Sequence, residues 1–198
     1  MTPPETTIPA PPADASLEQL LADYALRHPA ESGEAERFRA FLASADRVFD
    51  RSHPPGHFTA SCWLVSADGQ HLLMTHHRKL DRWLQLGGHC DGDPDVRRAA
   101  LREAEEESGL SGLWVEPLLF DIDRHRIPAR GSEAEHWHYD LRFVIHAGAG
   151  EAFVVSDESH DLAWRSIVEL ADDPASEASI RRMAGKWLRR MANAAGGG

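Results

Sequence analysis

One segment, residues 86–110 with the sequence LGGHCDGDPDVRRAALREAEEESGL, restricts the fold of this chain most strongly. It opens with two adjacent glycines, which predict a loop. Asp93 is placed to cap a following helix and Pro94 to take its first position, where the missing N–H costs nothing. Gly109 is a typical αL residue at a helix end, so the helix is expected to end just before it.

Positions 103–107 of this helix carry four glutamates. At 100° per residue, three of them share one side of the helix, namely Glu103, Glu106 and Glu107. Glu105 falls on the other side, and Arg102 lies one turn before Glu106, where it can hold that carboxylate. Carboxylates this close raise one another's proton affinity unless a cation lies among them. The pattern indicates either a site for Mg²⁺ or Mn²⁺, which prefer hard oxygen ligands, or a solvated charged face.

The surrounding residues resemble the signature of the Nudix hydrolases. That signature is a glycine, five residues, a glutamate, seven residues, and then Arg-Glu-apolar-x-Glu-Glu-x-Gly-apolar. Gly88 takes the first position, and the second half is matched by Arg102, Glu103, Ala104, Glu106, Glu107, Gly109 and Leu110, so that eight of nine positions agree. The departure is Pro94, which stands at the early glutamate between Asp93 and Asp95 and leaves the number of metal ions open.

The resemblance implies a fold, a reaction and a set of residues. The fold is expected to be an α/β/α sandwich with a mixed β-sheet. The implied activity is metal-dependent cleavage of a diphosphate linkage in a nucleoside diphosphate linked to another moiety. The implied ligands of the Mg²⁺ or Mn²⁺ ion are Gly87, through its carbonyl, and Glu103, Glu106 and Glu107. Arg102 joins these glutamates in the expected catalytic set.

Hydrophobic patterns divide the chain into three parts. Residues 1–15 carry five prolines and predict a disordered tail. Residues 16–53 predict a helical extension, with Ser16 as an N-cap and a second helix at about 33–49. Its apolar stripes are packing surfaces or half of a homodimer interface. Residues 54–195 form the expected Nudix domain. In it we predict strands at 57–66, 70–75, 83–86, 113–123, 136–147 and 161–164, a helical turn at 166–170, and a closing helix at 175–192.

Alternating polarity singles out the strand that begins at His136. His136, His138, Asp140 and Arg142 point one way, and apolar side chains point the other way. A strand covered on both faces does not ordinarily show a continuous polar face, so this face is expected to line a cleft. His136, His138 and Asp140 are therefore candidates for substrate binding. The alternative is a rim strand whose polar groups bond to one another or to water.

Basic residues form two groups in an otherwise acidic chain. Arg124, Arg126 and Arg130 are candidates for substrate phosphates, because the guanidinium group matches phosphate oxygens. The other group comprises His76, His77, Arg78, Lys79 and Arg82, for which solubility alone is the better explanation. His89 follows the glycine pair and either approaches the metal or braces the loop.

Two further residues bear on catalysis. Nudix proteins often carry an acidic residue in a loop before a tryptophan-containing strand, and the resemblance makes Glu158 a candidate metal ligand or general base. Asp157 and His160 are its alternatives. Cys90 has no evident activating partner and is interpreted as a small loop residue.

Charge and cysteine content exclude several classes of protein. The net charge of −11 argues against a nucleic-acid partner or an anionic membrane, which leaves a small phosphorylated molecule as the expected partner. Two cysteines suggest no disulfide framework, and the N-terminus lacks a secretory signal, so we expect a cytoplasmic protein. Two rivals remain: a nucleotide-sensing module without turnover, and an isoprenoid-diphosphate isomerase, which would need a catalytic Cys90.

Overall fold

The computed structural model describes residues 15–131, 133–148, 150, 152–155 and 159–196. The predicted tail lies outside this range except for Ala15, and so do Asp157 and Glu158. The helices are α1 (Leu17–Arg27), α2 (Ser32–Leu42), α3 (Val96–Ser108), α4 (Ile167–Asp172) and α5 (Ala178–Gly196), with a 3₁₀ turn at Pro29–Glu31. The strands are β1 (Gly56–Val65), β2 (His71–His77), β3 (Arg82–Gln85), β4 (Gly87–His89), β5 (Trp114–Ile127), β6 (His136–His146) and β7 (Ser159–Ser166).

These strands form one mixed sheet. Its order is β3-β2-β1-β6-β5, with β4 paired to β1 and β7 paired to β2. Strands β1 and β6 run parallel from Gly56↔Trp137 to Val65↔His146, and the other pairs are antiparallel. The predicted mixed sheet is therefore confirmed, with β1 and β6 at its centre.

Helices cover both faces of the sheet, which confirms the predicted α/β/α sandwich. On one face, α1, α2 and α3 pack over the side chains of β1 that begin with Phe58. On the other face, α4 and α5 pack over Trp63 and its neighbours. Within α5, Trp187 donates a hydrogen bond from Nε1 to the Gly69 carbonyl (2.8 Å). Burial of these apolar stripes stabilises both layers.

The N-terminal helices pack on this sheet. Ser16 caps α1 as predicted, since its hydroxyl accepts from the Gln19 backbone N–H (3.3 Å) and the Gln19 side chain accepts in return from Ser16 (2.8 Å). The Phe41 ring of α2 stacks on Tyr139 of β6, with centroids 3.8 Å apart. The apolar stripes of the extension are thus covered within the chain. Its boundaries at residues 16 and 53 stay predictions.

Two predicted helix boundaries were wrong. The second helix ends at Leu42 rather than Phe49, because Ser44 turns the chain by donating from both its N–H and its hydroxyl to the Phe41 carbonyl. The glutamate helix begins at Val96 with Asp95 as its N-cap, not at Pro94 with Asp93.

Asp95 takes that role because its backbone is non-helical (φ −82°, ψ 84°) and its side chain accepts from the Arg98 N–H (3.1 Å). Gly109 ends the helix in the αL conformation (φ 67°), as predicted.

Other element boundaries shift by a few residues. Strand β5 continues to Ile127 rather than 123, because its ladder with β6 persists to Ile127↔His136. Strand β7 begins at Ser159 and ends at Ser166, longer than predicted at both ends. Helix α5 begins at Ala178, after a turn in which the Asp173 carboxylate accepts from the Ala175 N–H (2.8 Å). No helix in the described ranges is long and apolar enough to cross a membrane.

Candidate active site

The site is built where the short strand β4 meets the glutamate face of α3. Gly87 donates its backbone N–H to the carboxylate of Glu107 (2.8 Å). Glu107 is 9% exposed, so this contact holds a nearly buried carboxylate at the strand. Gly87 has φ +150°, and a Cβ there would lie 2.5 Å from the Cα of Ser61. Only glycine allows β4 to approach β1 this closely.

The next glycine, Gly88, lies against a second carboxylate, that of Glu103. A methyl group on Gly88 would lie 2.4 Å from a carboxylate oxygen of Glu103, so Glu103 covers the bare Cα of this glycine. The side chain of Glu103 is 16% exposed. Burial raises the pKa of the Glu103 carboxyl, while the ion pair with Arg102 opposes that shift. A group in this position gains from a nearby cation.

Arg102 orients the first glutamate. Its guanidinium donates to Glu103 (2.9 Å) and to the backbone carbonyl of His89 (2.7 Å), which fixes the carboxylate against β4. The same guanidinium lies 4.0 Å from Glu106, whose side chain is 65% exposed. Glu105 is exposed on the far side of α3. The helical phase derived from the sequence is the one that the structure shows.

The residues present fit a divalent cation. Glu103, Glu106 and Glu107 offer oxygen atoms from one helix face, and Glu103 and Glu107 meet the backbone of the glycine pair. Oxygen donors of this kind suit Mg²⁺ or Mn²⁺.

The two aspartates beside Pro94 have other partners. Asp93 binds the guanidinium of Arg98 with both oxygens (2.6 and 2.8 Å), and Asp95 caps α3. The contacts therefore support a cation site built on the three later glutamates.

The polar strand β6 divides into two environments. His136 and His138 contact each other through their Nε2 atoms (3.2 Å). Asp140 is 2% exposed and accepts from the hydroxyls of Thr59 (2.9 Å) and Ser61 (2.8 Å). Asp140 also accepts from Nε of Arg142 (2.7 Å), so it has internal partners on β1 and β6, whereas the two histidines lie at the start of the strand.

Arg142 lies at the centre of a buried charge network. It is 2% exposed and contacts the carboxylates of Asp121 (3.2 Å) and Asp123 (3.5 Å) besides Asp140. Two cations of α5 complete the network, since Arg182 and Lys186 both lie 2.7 Å from Asp121. Sequence reasoning missed these partners, because β5 and α5 lie far from β6 in the sequence.

The three candidate arginines are separated from this polar face. Arg124 lies over the Trp137 ring (4.7 Å to its centroid) and pairs with Glu34 of α2 (3.2 Å), on the opposite face of the sheet. Arg126 pairs with Glu135, beside Trp137. Arg130 exchanges backbone hydrogen bonds with Glu133 (3.0 Å each). The structure therefore does not gather the predicted substrate-binding residues at one place.

A histidine cluster lies instead at the end of the polar face where β6 begins. His57 and His138 are register partners on β1 and β6, and their ring centroids are 4.7 Å apart. Burial and the neighbouring rings lower the pKa of His57 to about 4 and that of His138 to about 2. His89 lies beside both, at 5.1 and 5.4 Å. Sequence reasoning missed His57, although His57, Thr59 and Ser61 alternate with apolar residues.

The remaining candidates lie elsewhere. His76 stacks on Trp83, with ring centroids 5.2 Å apart. The basic group to which His76 belongs lies on β2, on β3 and in the turn between them, and not at the glutamates. The ring centroids of His160 and His76 are 5.4 Å apart. Cys90 is completely buried, which raises the pKa of its thiol to about 12. A cysteine in this state stays protonated, which argues against the isomerase alternative.

Comparison with known proteins identifies the family. The profile of the NUDIX domain matches residues 55–187. The chain belongs to the NUDIX domain family, which confirms the resemblance read from the signature.

A relative from Mycobacterium tuberculosis, named "Putative 8-oxo-dGTP diphosphatase 3", is 30% identical over 129 residues. That alignment covers 60% of this chain, and the chain spans 57% of the length of this relative.

Solved structures share the fold at low sequence identity. The binary complex of the C. elegans Ap4A hydrolase superposes with a TM-score of 0.55 at 17% identity, over 69% of this chain and 98% of the other. The E. coli dihydroneopterin triphosphate pyrophosphohydrolase gives 0.54 at 16% identity, over 67% and 95%. These likenesses confirm a Nudix-type sandwich.

Proposed function

We propose that this protein is a pyrophosphohydrolase that cleaves a diphosphate linkage in a nucleoside diphosphate joined to another moiety. The observation that carries the proposal is the placement of Glu103 and Glu107 against adjacent glycines of β4. The relative from M. tuberculosis supports the substrate class, since its name describes a nucleotide diphosphatase.

The proposed metal ligands are the carboxylates of Glu103, Glu106 and Glu107 and the carbonyl of Gly87, and the proposed ion is Mg²⁺ or Mn²⁺. When bound, such a cation neutralises phosphate oxygens and lowers the pKa of a water molecule. The net charge of −11 supports a requirement for this cation, because an acidic chain repels a polyphosphate substrate unless a cation lies between them.

The chain's own residues pre-organise this site. Arg102 holds Glu103 with one hydrogen bond and anchors itself on the His89 carbonyl with another. The Gly87 N–H holds Glu107. Fixed carboxylates need no reorganisation when substrate binds, which is the main source of electrostatic catalysis. Glu106 is the most exposed of the three and is the proposed contact towards substrate.

Other assignments remain proposals with less support. Glu158 stays a candidate metal ligand or general base, and it lies outside the described residues. His136 and His138 stay candidates for substrate contact, because they lie together at the start of β6 and outside the Asp140 and Arg142 network. Asp140 has three internal hydrogen bonds, which favour a positioning role in β1 and β6. Arg124 pairs with Glu34 and Arg126 with Glu135 on the opposite face of the sheet, and these contacts favour a structural role for both arginines.

A substrate panel tests the function. Untagged protein is incubated with Mg²⁺ and nucleoside triphosphates, their oxidised forms, dinucleoside polyphosphates and nucleoside diphosphate sugars, and products are separated by ion exchange. Glu107→Gln serves as the inactive control and Glu105→Gln as the matched active control. At least one compound is expected to be hydrolysed by wild type and Glu105→Gln only. Equal rates for wild type and Glu107→Gln on every compound would refute the proposal, and saturable binding without turnover would favour the sensing module.

A further inference from the structure

Three imidazoles from three strands meet at the end of the polar face where β6 begins. His57 lies on β1, His138 is its register partner on β6, and His89 ends β4, one register row away opposite Thr59. One ring nitrogen from each of the three histidines lies within 4.8 Å of the other two. The sheet register holds these rings together, because neighbouring strands point side chains of one row to the same face.

His57 has an unusual environment for a polar side chain. It is 0% exposed, and neither of its ring nitrogens has a hydrogen-bond partner among the residues that the structure describes. Buried polar atoms are nearly always satisfied, and an unsatisfied one destabilises the fold. An ion at the centre of the three rings would satisfy the lone pair of a neutral His57 imidazole, which lies on one of the two ring nitrogens that have no partner among the described residues.

We propose that His57, His89 and His138 form a binding site for a transition-metal ion of the Zn²⁺ class. Neutral imidazole nitrogen is a preferred ligand of such ions, and three histidines with a fourth open position are a recurrent arrangement for zinc. Zinc–nitrogen bonds of about 2.1 Å in tetrahedral geometry separate ligand atoms by about 3.4 Å. The ring nitrogens lie within 4.8 Å of one another, so binding an ion requires them to approach by up to about 1.4 Å.

A neighbouring histidine orients one of the ligands. Nδ1 of His136 lies 2.8 Å from the Ala134 carbonyl, which can only accept, so His136 donates from Nδ1. In the neutral ring, Nε2 of His136 then accepts from Nε2 of His138 (3.2 Å). A neutral His138 is left with its free lone pair on Nδ1. Hydrogen bonding of the second ring nitrogen is the usual way in which a protein fixes a ligating histidine.

The histidine site is distinct from the carboxylate site. Gly88 faces Glu103, and Cys90 is buried in the same layer as α3, so His89 between them points to the opposite side of the strand. The donors differ as well, since one site offers oxygen atoms and the other nitrogen atoms. An ion bound by the histidines would join the strand of the glycine pair to β1 and β6. His138 then acts as a metal ligand rather than as a contact to substrate phosphate.

Metal titration tests this site without measuring turnover. Chelator-treated, untagged full-length protein is titrated with Co²⁺, whose visible absorption reports nitrogen ligands and tetrahedral geometry, and Zn²⁺ is then added as a competitor. The variants are His89→Ala, which removes a half-buried ring, and His57→Asn, which removes the buried one. His71→Ala is the matched control, because His71 lies on β2 outside the cluster with a 44% exposed side chain. Circular dichroism verifies that each variant is folded.

The expected result is one tetrahedral Co²⁺ site per chain that Zn²⁺ displaces, in addition to any Co²⁺ that the carboxylate site holds through oxygen ligands. His89→Ala is expected to bind at least about tenfold more weakly, and His71→Ala and Glu107→Gln as wild type does. Equal binding by wild type and His89→Ala would overturn the proposal, as would loss of the site in Glu107→Gln alone. If His57→Asn does not fold, His89→Ala still decides the outcome. Failure of the proposed hydrolase function leaves this result unchanged, because no substrate is present.

Discussion

The carboxylate of Glu103 lies directly over the Cα of Gly88, where a Cβ would come within 2.4 Å of its oxygen. The first glycine of the signature and its first helix glutamate are therefore in contact, although 15 positions separate them in the sequence. A glycine is needed at position 88 because it has no Cβ in the space that the Glu103 carboxylate occupies. Since the atom in that space is the end of a flexible side chain, a larger residue moves the carboxylate and not the strand.

Gly88→Ala is therefore expected to lower activity without unfolding the protein. The added methyl group displaces Glu103 and breaks its alignment with Arg102. Misplacing a catalytic group by about 1 Å costs roughly a hundredfold in rate. Steady-state rates on the substrate found in the panel, together with the melting temperature, measure both effects.

Gly33→Ala is the control for this substitution. Gly33 lies in α2, and apart from its chain neighbours and the backbone of its own helix no described heavy atom stands within 4 Å of the position of its Cβ. Alanine is the better helix former, so stability is expected to stay or rise while the rate stays at the wild-type value. A Gly88→Ala variant that loses both stability and activity would show that the contact supports the fold rather than the carboxylate.

Glu107→Gln and Glu105→Gln make the same change of charge on two sides of α3. In Glu107→Gln the new amide keeps an oxygen that can accept from Gly87, so the fold is expected to persist while the cation site loses a charge. We expect the rate to fall by more than about a hundredfold, the effect of losing several kcal/mol of transition-state stabilisation. Glu105→Gln is expected to stay within about twofold of wild type, because Glu105 is exposed on the far side. Equal losses in the two variants would contradict the assignment.

Local patterns predicted much of the glutamate site. The 100° periodicity placed Glu103 and Glu107 on one face and Glu105 on the other, and Gly109 ended the helix where expected. The predicted start of the helix was wrong because Asp93 and Asp95, on either side of Pro94, are two competing N-cap residues. Backbone angles decide between them, and the residue types do not.

Long-range contacts explain what the sequence could not predict. The alternation of polar residues along β6 was recognised, but the cleft expected there does not extend to Asp140 and Arg142, which are buried against β1, β5 and α5. These partners are distant in the sequence, and Thr59 and Asp140 are 81 positions apart along the chain. The face taken by Arg124 follows from the register of β5 with β6, which a single sequence does not determine. The histidine cluster likewise needs β4 to pair with β1 before His89 meets the first strand.

Arg142→Met is expected to destabilise the fold strongly. The substitution removes the cation that contacts the buried carboxylates of Asp121 and Asp140 and the partly buried one of Asp123. Asp121 and Asp123 keep Arg182 as a partner, so the loss falls mainly on Asp140. Breaking a buried ion pair on one side costs about 3–5 kcal/mol, because the remaining charge is uncompensated. Urea unfolding at neutral pH measures the loss. Arg126→Met is the control, since its pair with Glu135 is exposed, and its unfolding midpoint is expected to match wild type.

Glu116 is expected to make the stability of the fold depend on pH. It is 8% exposed and accepts from His146 (2.7 Å) and from both terminal nitrogens of Arg190 (2.7 and 2.8 Å), which ties β5 to β6 and α5. Burial alone would raise the pKa of its carboxyl, but hydrogen bonds and charge from these two partners outweigh burial and lower it.

A carboxyl whose pKa is lower in the folded state stabilises the fold above its unfolded pKa of about 4.3. This contribution is lost as the pH falls from that value through the folded pKa, because the unfolded chain takes up the proton first. Glu116→Gln cannot ionise and is expected to be less stable than wild type at pH 7 by about 1.5–3 kcal/mol, the range for hydrogen bonds to a charged group. The difference should shrink once the pH falls below about 4.3.

Urea midpoints of both proteins across this pH range measure the effect, with Glu105→Gln as the exposed control. A difference between wild type and Glu116→Gln that stays constant from neutral to acid pH would show that the carboxylate of Glu116 contributes through packing rather than charge.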